Sequence, residues 1–489
     1  MGMQIKAKVN FGEDLGDNIG TVFEARDSEG QVLFGAGFMG LFNTHFRMDR
    51  WTLQFFIRHD DAELSCEQLP FPSDDGGNYL FDLDGRVYQS SHYRDRIMRW
   101  YDGESKAWVV DERFGIEETT SGEGMMRLAG KLLQFKGGEA YYDGAKILLQ
   151  PDMGHYHHFY YSHGHLVFFQ NNAPEWSKLH AVPWRPGDGA LDLDKSITLD
   201  LRYAGETSFS AGQLGGEIIQ SSNVGGVYAF DGSGWRIIRQ SLEGVSHQLY
   251  SMLNWYDRML IGHYPTGNLL EYVKKGIELR HLEDWPPVMP GVSSAVREAQ
   301  TTCLFGGDIY VGVWPWAELW RYDHRGDKWH FVRRMFDHPE ITEEMNHPWE
   351  DRIAAYNQIH AAEVVWNDWG NRTTGLAPMG DALFISTSAK GCQERDMRMA
   401  FLHDDEVWDE YRTVHRLCKP GCAAGAVAWR EGETSLEFSA DGDRIAIAQD
   451  GVEIASAPAD PKVVAQAQRA QIEWGRGMYG PFAGEVTPQ

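Results

Sequence analysis

Short runs of alternating apolar and polar residues recur along most of the chain, and glycine or aspartate bounds each run. A typical copy begins at a Gly/Asp turn, forms a short apolar strand, breaks for a few polar or aromatic residues, and resumes as a second strand that ends near Tyr-Asp. The pattern is clearest in residues 85–103, 216–232, 257–272 and 307–323. Alternation of this kind predicts β-strands, and its repetition predicts a solenoid or a propeller.

Eight candidate units follow from the repeat, and they centre on residues 18–68, 76–111, 121–150, 154–202, 205–240, 245–283, 296–335 and 371–417. Four antiparallel strands in each unit would make the blade of a β-propeller, an all-β fold in which radial closure protects the sheet edges. The first unit has an irregular middle at residues 39–46, and we expect it to close the ring by sharing strands with the C-terminal part. We therefore expect seven blades, with eight as the alternative.

Two segments depart from the repeat. Residues 336–369 are polar with helical spacing, which predicts an insertion between two units, and such insertions often form one wall of a site. Residues 424–457 alternate again around an Asp-Gly-Asp turn, which predicts a hairpin, and residues 459–475 resemble a terminal helix. The expected organisation is a propeller over residues 1–423, followed by a hairpin and helix over 424–489 that pack on the propeller or close the ring.

Composition narrows the classes of partner. The net charge of −26 argues against a nucleic-acid or anionic-membrane binder, because neutralising phosphates needs a basic surface. It still permits an anionic substrate in a local basic pocket, and aromatic residues at 13% suit strands and sugar-binding surfaces. Residues 1–8 lack the apolar core of a secretory signal, which predicts either an intracellular protein or a secreted one whose leader has been removed. We expect a monomer.

The polar breaks between strands fall at one structural place in every unit, so they locate the candidate site. In a propeller, these loops and those before the inner strands surround the central funnel. The breaks lie at residues 91–94, 170–172, 221–223, 262–265, 313–316 and 387–390, and the loops before inner strands at 155–158, 246–247, 296–298 and 371–372.

The residue types in this set favour elimination over hydrolysis. A glycosidase needs two carboxyl groups across the scissile bond, and the candidates Glu123, Glu298 and Glu363 form no clear pair. Histidine, tyrosine and arginine are instead the groups that eliminate across a uronic acid. One neutralises the carboxylate, a base removes the proton of the adjacent carbon, and an acid protonates the leaving oxygen.

The run Gly262-His-Tyr-Pro-Thr-Gly267 is followed by Asn268-Leu-Leu-Glu-Tyr272. In this run, in the repeat and in these polar residues, the chain resembles propeller polysaccharide lyases, particularly ulvan lyases, over about residues 76–417. The resemblance implies a seven-bladed single chain that cleaves beside a uronic acid with His, Tyr and Arg on its top face. It gives no complete match to that catalytic set. The absent leader departs from a secreted lyase and fits an intracellular oligosaccharide lyase better.

Residue roles follow from position in the repeat. We expect His263 and Tyr264 to act as base and acid, with His92 and His247 as supporting or neutralising groups and Arg94 on the carboxylate. The expected substrate-binding residues are Tyr93, Arg94, Asn171, Asn223, Trp314, Trp316, Arg297 and His158.

Some of these residues also fit a purely structural role. His92 and His263 recur at one repeat position, which also fits a structural hydrogen bond. Trp314 and Trp316 also fit half-buried packing, and Arg297 also fits an ion pair with Glu298.

A histidine-rich run also invites a metal site. Strand alternation places His155 and His157 on one face and His158 on the other. His163 and His165 fall at the opposite end of the blade, so five histidines cannot converge on one ion. The expected site is therefore His155 and His157, holding calcium or zinc, while the chemistry itself needs no cofactor.

Two rival functions remain open. A glycoside hydrolase on the same fold would need a pair such as Glu298 and Glu363. A non-catalytic propeller would bind a glycan or protein partner without turnover. The expected partner of the enzyme is an anionic carbohydrate, with no nucleic acid and no membrane.

Overall fold

Nearly all regular structure is β-strand, as the alternating pattern predicted. The computed structural model describes residues 2–489 except 44–45, 48, 61, 75–76, 78, 91–96, 115–123, 275–278, 293, 295, 342–346, 364–370, 390–404 and 468–469. Strands hold 54% of the described residues and helices 6%, and most sheets are four-stranded and antiparallel. The predicted all-β propeller is confirmed.

Seven antiparallel sheets in the described chain, here called blades 1 to 7, each contain a meander of four strands. In blades 1 to 6 the four strands are consecutive in the chain, whereas the outermost strand of blade 7 comes from before blade 1. Blade 1 contains the strands Tyr79–Leu83, Arg86–Ser90, Arg99–Asp102 and Ala107–Val110, and blade 2 contains Met125–Leu128, Lys131–Lys136, Glu139–Tyr142 and Ala145–Leu148. Blade 3 contains His155–Ser162, His165–Asn172, Trp176–Pro183 and Ile197–Asp200, and blade 4 contains Ser208–Leu214, Glu217–Ser222, Val227–Phe230 and Trp235–Arg239. Blade 5 contains Leu249–Trp255, Arg258–His263, Leu269–Tyr272 and Arg280–Leu282, and blade 6 contains Glu298–Phe305, Asp308–Trp314, Glu318–Asp323 and Lys328–Arg334. Blade 7 contains Asn371–Met379, Ala382–Ala389 and Val414–Cys418, with Ser65–Gln68 as its outermost strand.

The blades close into a ring because each sheet packs its apolar face on the next. The first strands of blades 4 to 7 contact one another in succession, and that of blade 7 contacts blade 1. Apolar clusters join the remaining neighbours; between blades 2 and 3, for example, the rings of Phe135 and Phe159 stack at 4.9 Å. The strand Ser65–Gln68 precedes blade 1 in the chain but pairs with the last blade, with Cys66 opposite Leu417. The first predicted unit thus does share a strand with the C-terminal part.

Both chain ends form a separate pair of sheets, here called the terminal sandwich. One sheet contains Met3–Asn10, Glu433–Asp441, Arg444–Gln449, Val452–Pro458 and Glu485–Pro488. The other contains Gly20–Arg26, Val32–Phe38, Thr52–Ile57, Cys422–Ala426 and Gln471–Trp474. Aromatic rings fill the space between them, with Phe438 lying 4.9 Å from Phe23 and 5.4 Å from Phe55. Apolar burial between the sheets stabilises the sandwich.

The terminal sandwich differs from the predicted domain organisation. Residues 20–57 were expected in a blade, yet Gly20–Arg26 and Thr52–Ile57 pair with strands beyond residue 420, and Val32–Phe38 lies between them. The predicted hairpin is present, with Asp441 opposite Arg444. The predicted helix over 459–475 is shorter, because Gln471–Trp474 pairs with the strand Gly20–Arg26.

Helices are short and lie outside the blades. They span Glu350–His360, Asp405–Glu410 and Pro461–Ala467, and the 3₁₀ turns span Glu112–Phe114 and Leu193–Lys195. The first helix lies in the insertion predicted at residues 336–369. Just before it, the Trp349 indole donates a 2.6 Å hydrogen bond to the Tyr411 hydroxyl. None of the helices in the described residues combines the length and apolar character that a bilayer span requires.

The terminal sandwich covers one end of the ring, here called the bottom face. The turns between first and second blade strands meet it: Gly164 N donates to Leu15 O at 3.1 Å, and Tyr256 N donates to Met478 O at 3.0 Å. A hairpin of Leu41–Asn43 and Phe46–Arg47 extends from the sandwich along the inner strand of blade 5, with Leu41 opposite Leu253. This hairpin, here called the channel hairpin, lies against the inner strands of blades 4, 5 and 6 near the bottom of the central channel. The opposite end of the ring is here called the top face.

Candidate functional site

A β-bulge near the start of the first strand recurs in five blades on the top face. The register shifts fall at 157/160, 208/211, 249/252, 299/301 and 373/375. A bulge bends its strand and redirects side chains. The bulges therefore place polar side chains around the channel mouth, where the sequence repeat predicted the site.

Four predicted site residues meet around Thr207 at the top of blades 3 and 4. The Thr207 hydroxyl lies 3.1 Å from Nδ1 of His157 and 3.2 Å from Nδ1 of His158. Asn223 and Thr207 exchange hydrogen bonds, with Thr207 N donating to the Asn223 side-chain oxygen at 3.0 Å. Asn171, on the second strand of blade 3, interacts electrostatically with His157. These residues form the histidine cluster.

The bulge overturns one prediction about the histidine-rich run. Simple alternation placed His158 on the face away from His157, but His158 has φ of 54° at the bulge. Its Nδ1 consequently lies 2.5 Å from Nδ1 of His157. The His155 ring is 4.9 Å from the His157 ring. His163 pairs with Asp17 on the bottom face at 2.6 Å, as its position in the blade predicted.

The metal site predicted at His155 and His157 stays a prediction. Among the described residues, no group of three or more His, Cys, Asp or Glu side chains is arranged to hold an ion. Two ligands of a tetrahedral zinc, each about 2.0–2.1 Å from it, lie more than about 3 Å apart. The Nδ1 atoms of His157 and His158, at 2.5 Å, are too close for these two atoms to bind one zinc together, which leaves the predicted pair His155 and His157 untested. Both Nδ1 atoms instead share hydrogen bonding with the Thr207 hydroxyl.

A second cluster forms at the top of blade 5, where His247 precedes the first strand and His263 and Tyr264 end the second. The rings of His247 and Tyr264 meet edge to face at 5.9 Å, and both side chains are partly exposed. The His263 Nδ1 lies 3.0 Å from the Thr266 hydroxyl. Burial, followed by the charge of Arg239, lowers the pKa of His263 to about 3. We call His247, His263 and Tyr264 the blade-5 cluster.

A buried tyrosine lies between the two clusters. The Tyr250 ring lies 5.2 Å from that of Phe209, two residues beyond Thr207. The Tyr250 hydroxyl donates to a carboxylate oxygen of Glu298 at 2.9 Å. Burial and then the Glu298 charge raise the pKa of Tyr250 well above its usual value, and Arg372 and Tyr264 lie within electrostatic range. Tyr250 therefore lies between Phe209, close to the histidine cluster, and Tyr264 of the blade-5 cluster.

Three predicted substrate-binding residues are structural. Trp314 and Trp316 are fully buried at 0% exposure, so they pack in the ring and cannot stack on a sugar. Arg297 is 1% exposed, and its guanidinium donates to Glu318 at 3.2 Å and to Pro287 O at 2.9 Å. The alternative pairing of Arg297 with Glu298 is also not seen; the partner is Glu318.

The hydrolase pair finds no support in the described residues. Glu298 is fully buried and bound by Tyr250, whereas Glu363 is exposed beyond the helical insertion. A buried carboxylate pair does exist at Asp49 and Asp82, where burial raises the pKa values to about 6 and about 7. This pair lies at the bottom face and is bonded to Thr52 and backbone amides.

Other site residues lie outside the described residues or were missed. His92, Tyr93 and Arg94 belong to the undescribed range 91–96, so their predicted roles stay predictions. Sequence reasoning missed Thr207, Tyr250 and Arg239. Thr207 and Tyr250 carried a usable signal, since both stand at inner-strand starts equivalent to His157.

Known proteins resemble the chain only in architecture. No protein-family model matches the chain, and no curated protein matches it. The computationally designed protein Ika8 superposes with a TM-score of 0.38 at 9% identity, over 84% of this chain and 99% of its own. YCF48, solved with a D1 peptide, has a TM-score of 0.38 at 10% identity, over 74% of this chain and 99% of its own. BamB from Moraxella catarrhalis has a TM-score of 0.35 at 12% identity, over 69% of this chain and 82% of its own. YCF48 and BamB are β-propellers, and scores this low carry no inference about activity.

Proposed function

We propose that the protein is a lyase that cleaves an acidic poly- or oligosaccharide next to a uronic acid by β-elimination. The contact between His247 and Tyr264 on the top face carries the proposal. An imidazole and a phenol in contact are a base and an acid that can act on opposite ends of one eliminating unit. Glu298, a carboxylate that a hydrolase would need, is buried and bonded to Tyr250, which favours elimination over hydrolysis.

The reaction balances with these two side chains. One removes the proton from the carbon that bears the carboxylate, and the electron pair of that bond forms a carbon–carbon double bond. The bond from the neighbouring carbon to the glycosidic oxygen breaks, and the other side chain protonates that oxygen. We keep Tyr264 as the acid and assign the base to His247 rather than to His263, because the His247 ring contacts Tyr264 and the His263 ring is bonded to Thr266. The His263 ring is held by Thr266 and supports the cluster.

Product analysis of the full chain tests this function. Incubation with uronic-acid glycans should yield unsaturated ends with ultraviolet absorbance. Reducing ends without that absorbance would identify a hydrolase instead. Binding without any product, unchanged in His263→Ala and Tyr264→Phe, would identify a non-catalytic propeller. Tyr141→Phe in blade 2, remote from the site, controls for nonspecific effects of removing a hydroxyl.

A further inference from the structure

Arg239 ends the outermost strand of blade 4 and lies in the seam between blades 4 and 5. Its Nε donates to Gly225 O at 2.7 Å and its Nη2 donates to Ser246 O at 3.0 Å. No described carboxylate pairs with it, and burial lowers its pKa to about 10. Arg236, three residues earlier on the same strand, pairs in the ordinary way with Glu217 at 3.1 Å. Arg239 is therefore a partly buried cation without a counter-charge among the described residues.

The neighbours of Arg239 are also basic. The charge on Arg239 acts on the His263 ring, and so do the charges of His281 and His247. The rings of His263 and His281 lie 6.0 Å apart, with His281 exposed on the outermost strand of blade 5. The chain carries 71 Asp and Glu against 45 Lys and Arg, so an arginine that pairs with no described carboxylate and has three histidines near it runs against this composition. An anion in this seam would remove the cost of the unpaired charge.

The guanidinium of Arg239 is held in place by two hydrogen bonds. A guanidinium has five N–H donors, and the protein uses two of those on Arg239 in the described structure. The remaining donors include both on Nη1, and the paired Nη edge is the one that binds carboxylate and sulfate bidentately. Gly225 has φ of 78°, and a Cβ there would lie 1.9 Å from His247 O. The loops that hold Arg239 are thus closely packed, which preforms the seam.

We propose that this seam is an oxyanion subsite in which Arg239, flanked by His263 and His281, binds a carboxylate or sulfate group of an acidic glycan. The choice of glycan rests on the proposed function. Because His247 belongs to both the seam and the blade-5 cluster, the subsite would anchor an acidic unit that flanks the cleaved bond. This role is distinct from the chemistry assigned to His247 and Tyr264.

Anion binding without turnover tests the subsite. Thermal denaturation of the full chain is followed with sulfate and with glucuronate, against chloride and glucose at matched ionic strength. The wild type should gain stability from at least one of the two anions. Glucuronate alone would indicate a carboxylate, and sulfate as well would indicate that either group binds. Arg239→Gln should weaken the apparent affinity about ten-fold or more, whereas Arg236→Gln on the same strand should not change it.

Because Arg239 also bonds to two loops, two further variants distinguish a loss of anion binding from misfolding. Arg239→Lys keeps the charge but loses the bidentate edge, and His281→Gln alters an exposed side chain. Both should bind anion several-fold more weakly than wild type. Equal affinity in these variants and the wild type, or no stabilisation by either anion, would overturn the subsite. Anion binding that depends on Arg239 in a protein that releases no unsaturated product would keep the subsite and reject the lyase.

Discussion

At the scale of single residues, burial decides the charge of the histidine cluster. Burial, followed by the charges of neighbouring histidines, lowers the pKa of His157 to about 3 and that of His158 to about 4. The unfolded chain binds these protons near the usual pKa of about 6.5. The folded state therefore binds fewer protons, and its stability is complete above that pH and falls as pH drops towards 4.

Replacing one of these histidines should reduce the loss of stability in acid. Between pH 7 and pH 4, the free energy of unfolding of His158→Asn should fall by about 1–3 kcal/mol less than that of wild type. The reason is that the variant has one fewer neutral buried imidazole to gain a proton on unfolding. Asparagine also tolerates the positive φ at this position. Urea denaturation at both pH values measures the difference. A parallel loss of stability in wild type and variant would show that His158 titrates normally in the fold.

Individual roles could be predicted only where a residue repeats. His157 and Asn171 were found because their positions recur from unit to unit. Arg297 and Trp314 were misassigned because their burial depends on how neighbouring blades pack, which periodicity does not show. Arg239 was missed because its neighbours, such as His281, come from the next blade.

At the scale of elements, the channel hairpin joins the terminal sandwich to the ring. The Asn43 side chain bonds to the backbone of Thr302 as a neighbouring β-strand would. Its Nδ2 donates to Thr302 O at 2.9 Å, and its Oδ1 accepts from Thr302 N at 2.8 Å. Both bonds are buried. An isolated buried peptide group is costly, so the Asn43 side chain is a main anchor of the hairpin on blade 6.

We expect Asn43→Ala to lower the free energy of unfolding by about 1–3 kcal/mol, because it leaves a buried amide donor and a buried carbonyl of Thr302 unpaired. Chemical denaturation measures the change. Asn10→Ala, which removes an exposed bond to Gly12 N, is the matched control and should change stability by less than about 0.5 kcal/mol. Equal effects of the two substitutions would argue against hairpin anchoring.

The elements themselves were largely predictable from alternation, because each blade is built from strands adjacent in the chain. The terminal sandwich was not. Its strand Gly20–Arg26 alternates like a blade strand, but its partner Gln471–Trp474 lies at the other end of the sequence. Local pattern carries no information about so distant a partner, and the same strand suits either architecture.

At the scale of the whole molecule, a buried charge network fastens the terminal sandwich to the bottom of blade 6. Arg58 from the sandwich donates to Asp308 at 2.9 Å and to Gly307 O at 2.7 Å. Lys419, on the link from blade 7 back to the sandwich, donates to Asp308 at 2.6 Å. Burial alone would raise the pKa of Asp308, but the charges of Lys419 and Arg58 outweigh it and lower that pKa.

We expect Arg58→Met to destabilise the chain by about 3–5 kcal/mol, because it removes one partner from a buried ion network. Arg325→Met is the matched control. Its exposed pair with Asp60, at 2.9 Å, should contribute less than about 1 kcal/mol. Urea denaturation measures both. Similar small effects would show that the network does not hold sandwich and ring together.

The most direct test of the proposed lyase is the ultraviolet absorbance of unsaturated uronate, released from uronic-acid polysaccharides and oligosaccharides by the full chain. Wild type should raise the absorbance with at least one glycan, and Tyr264→Phe and His247→Asn should each slow it by about 100-fold or more, because each removes a proton-transfer group. Tyr141→Phe should match wild type. Absence of the absorbance with every uronic-acid glycan, or an undiminished rate in Tyr264→Phe and His247→Asn, would contradict the proposal.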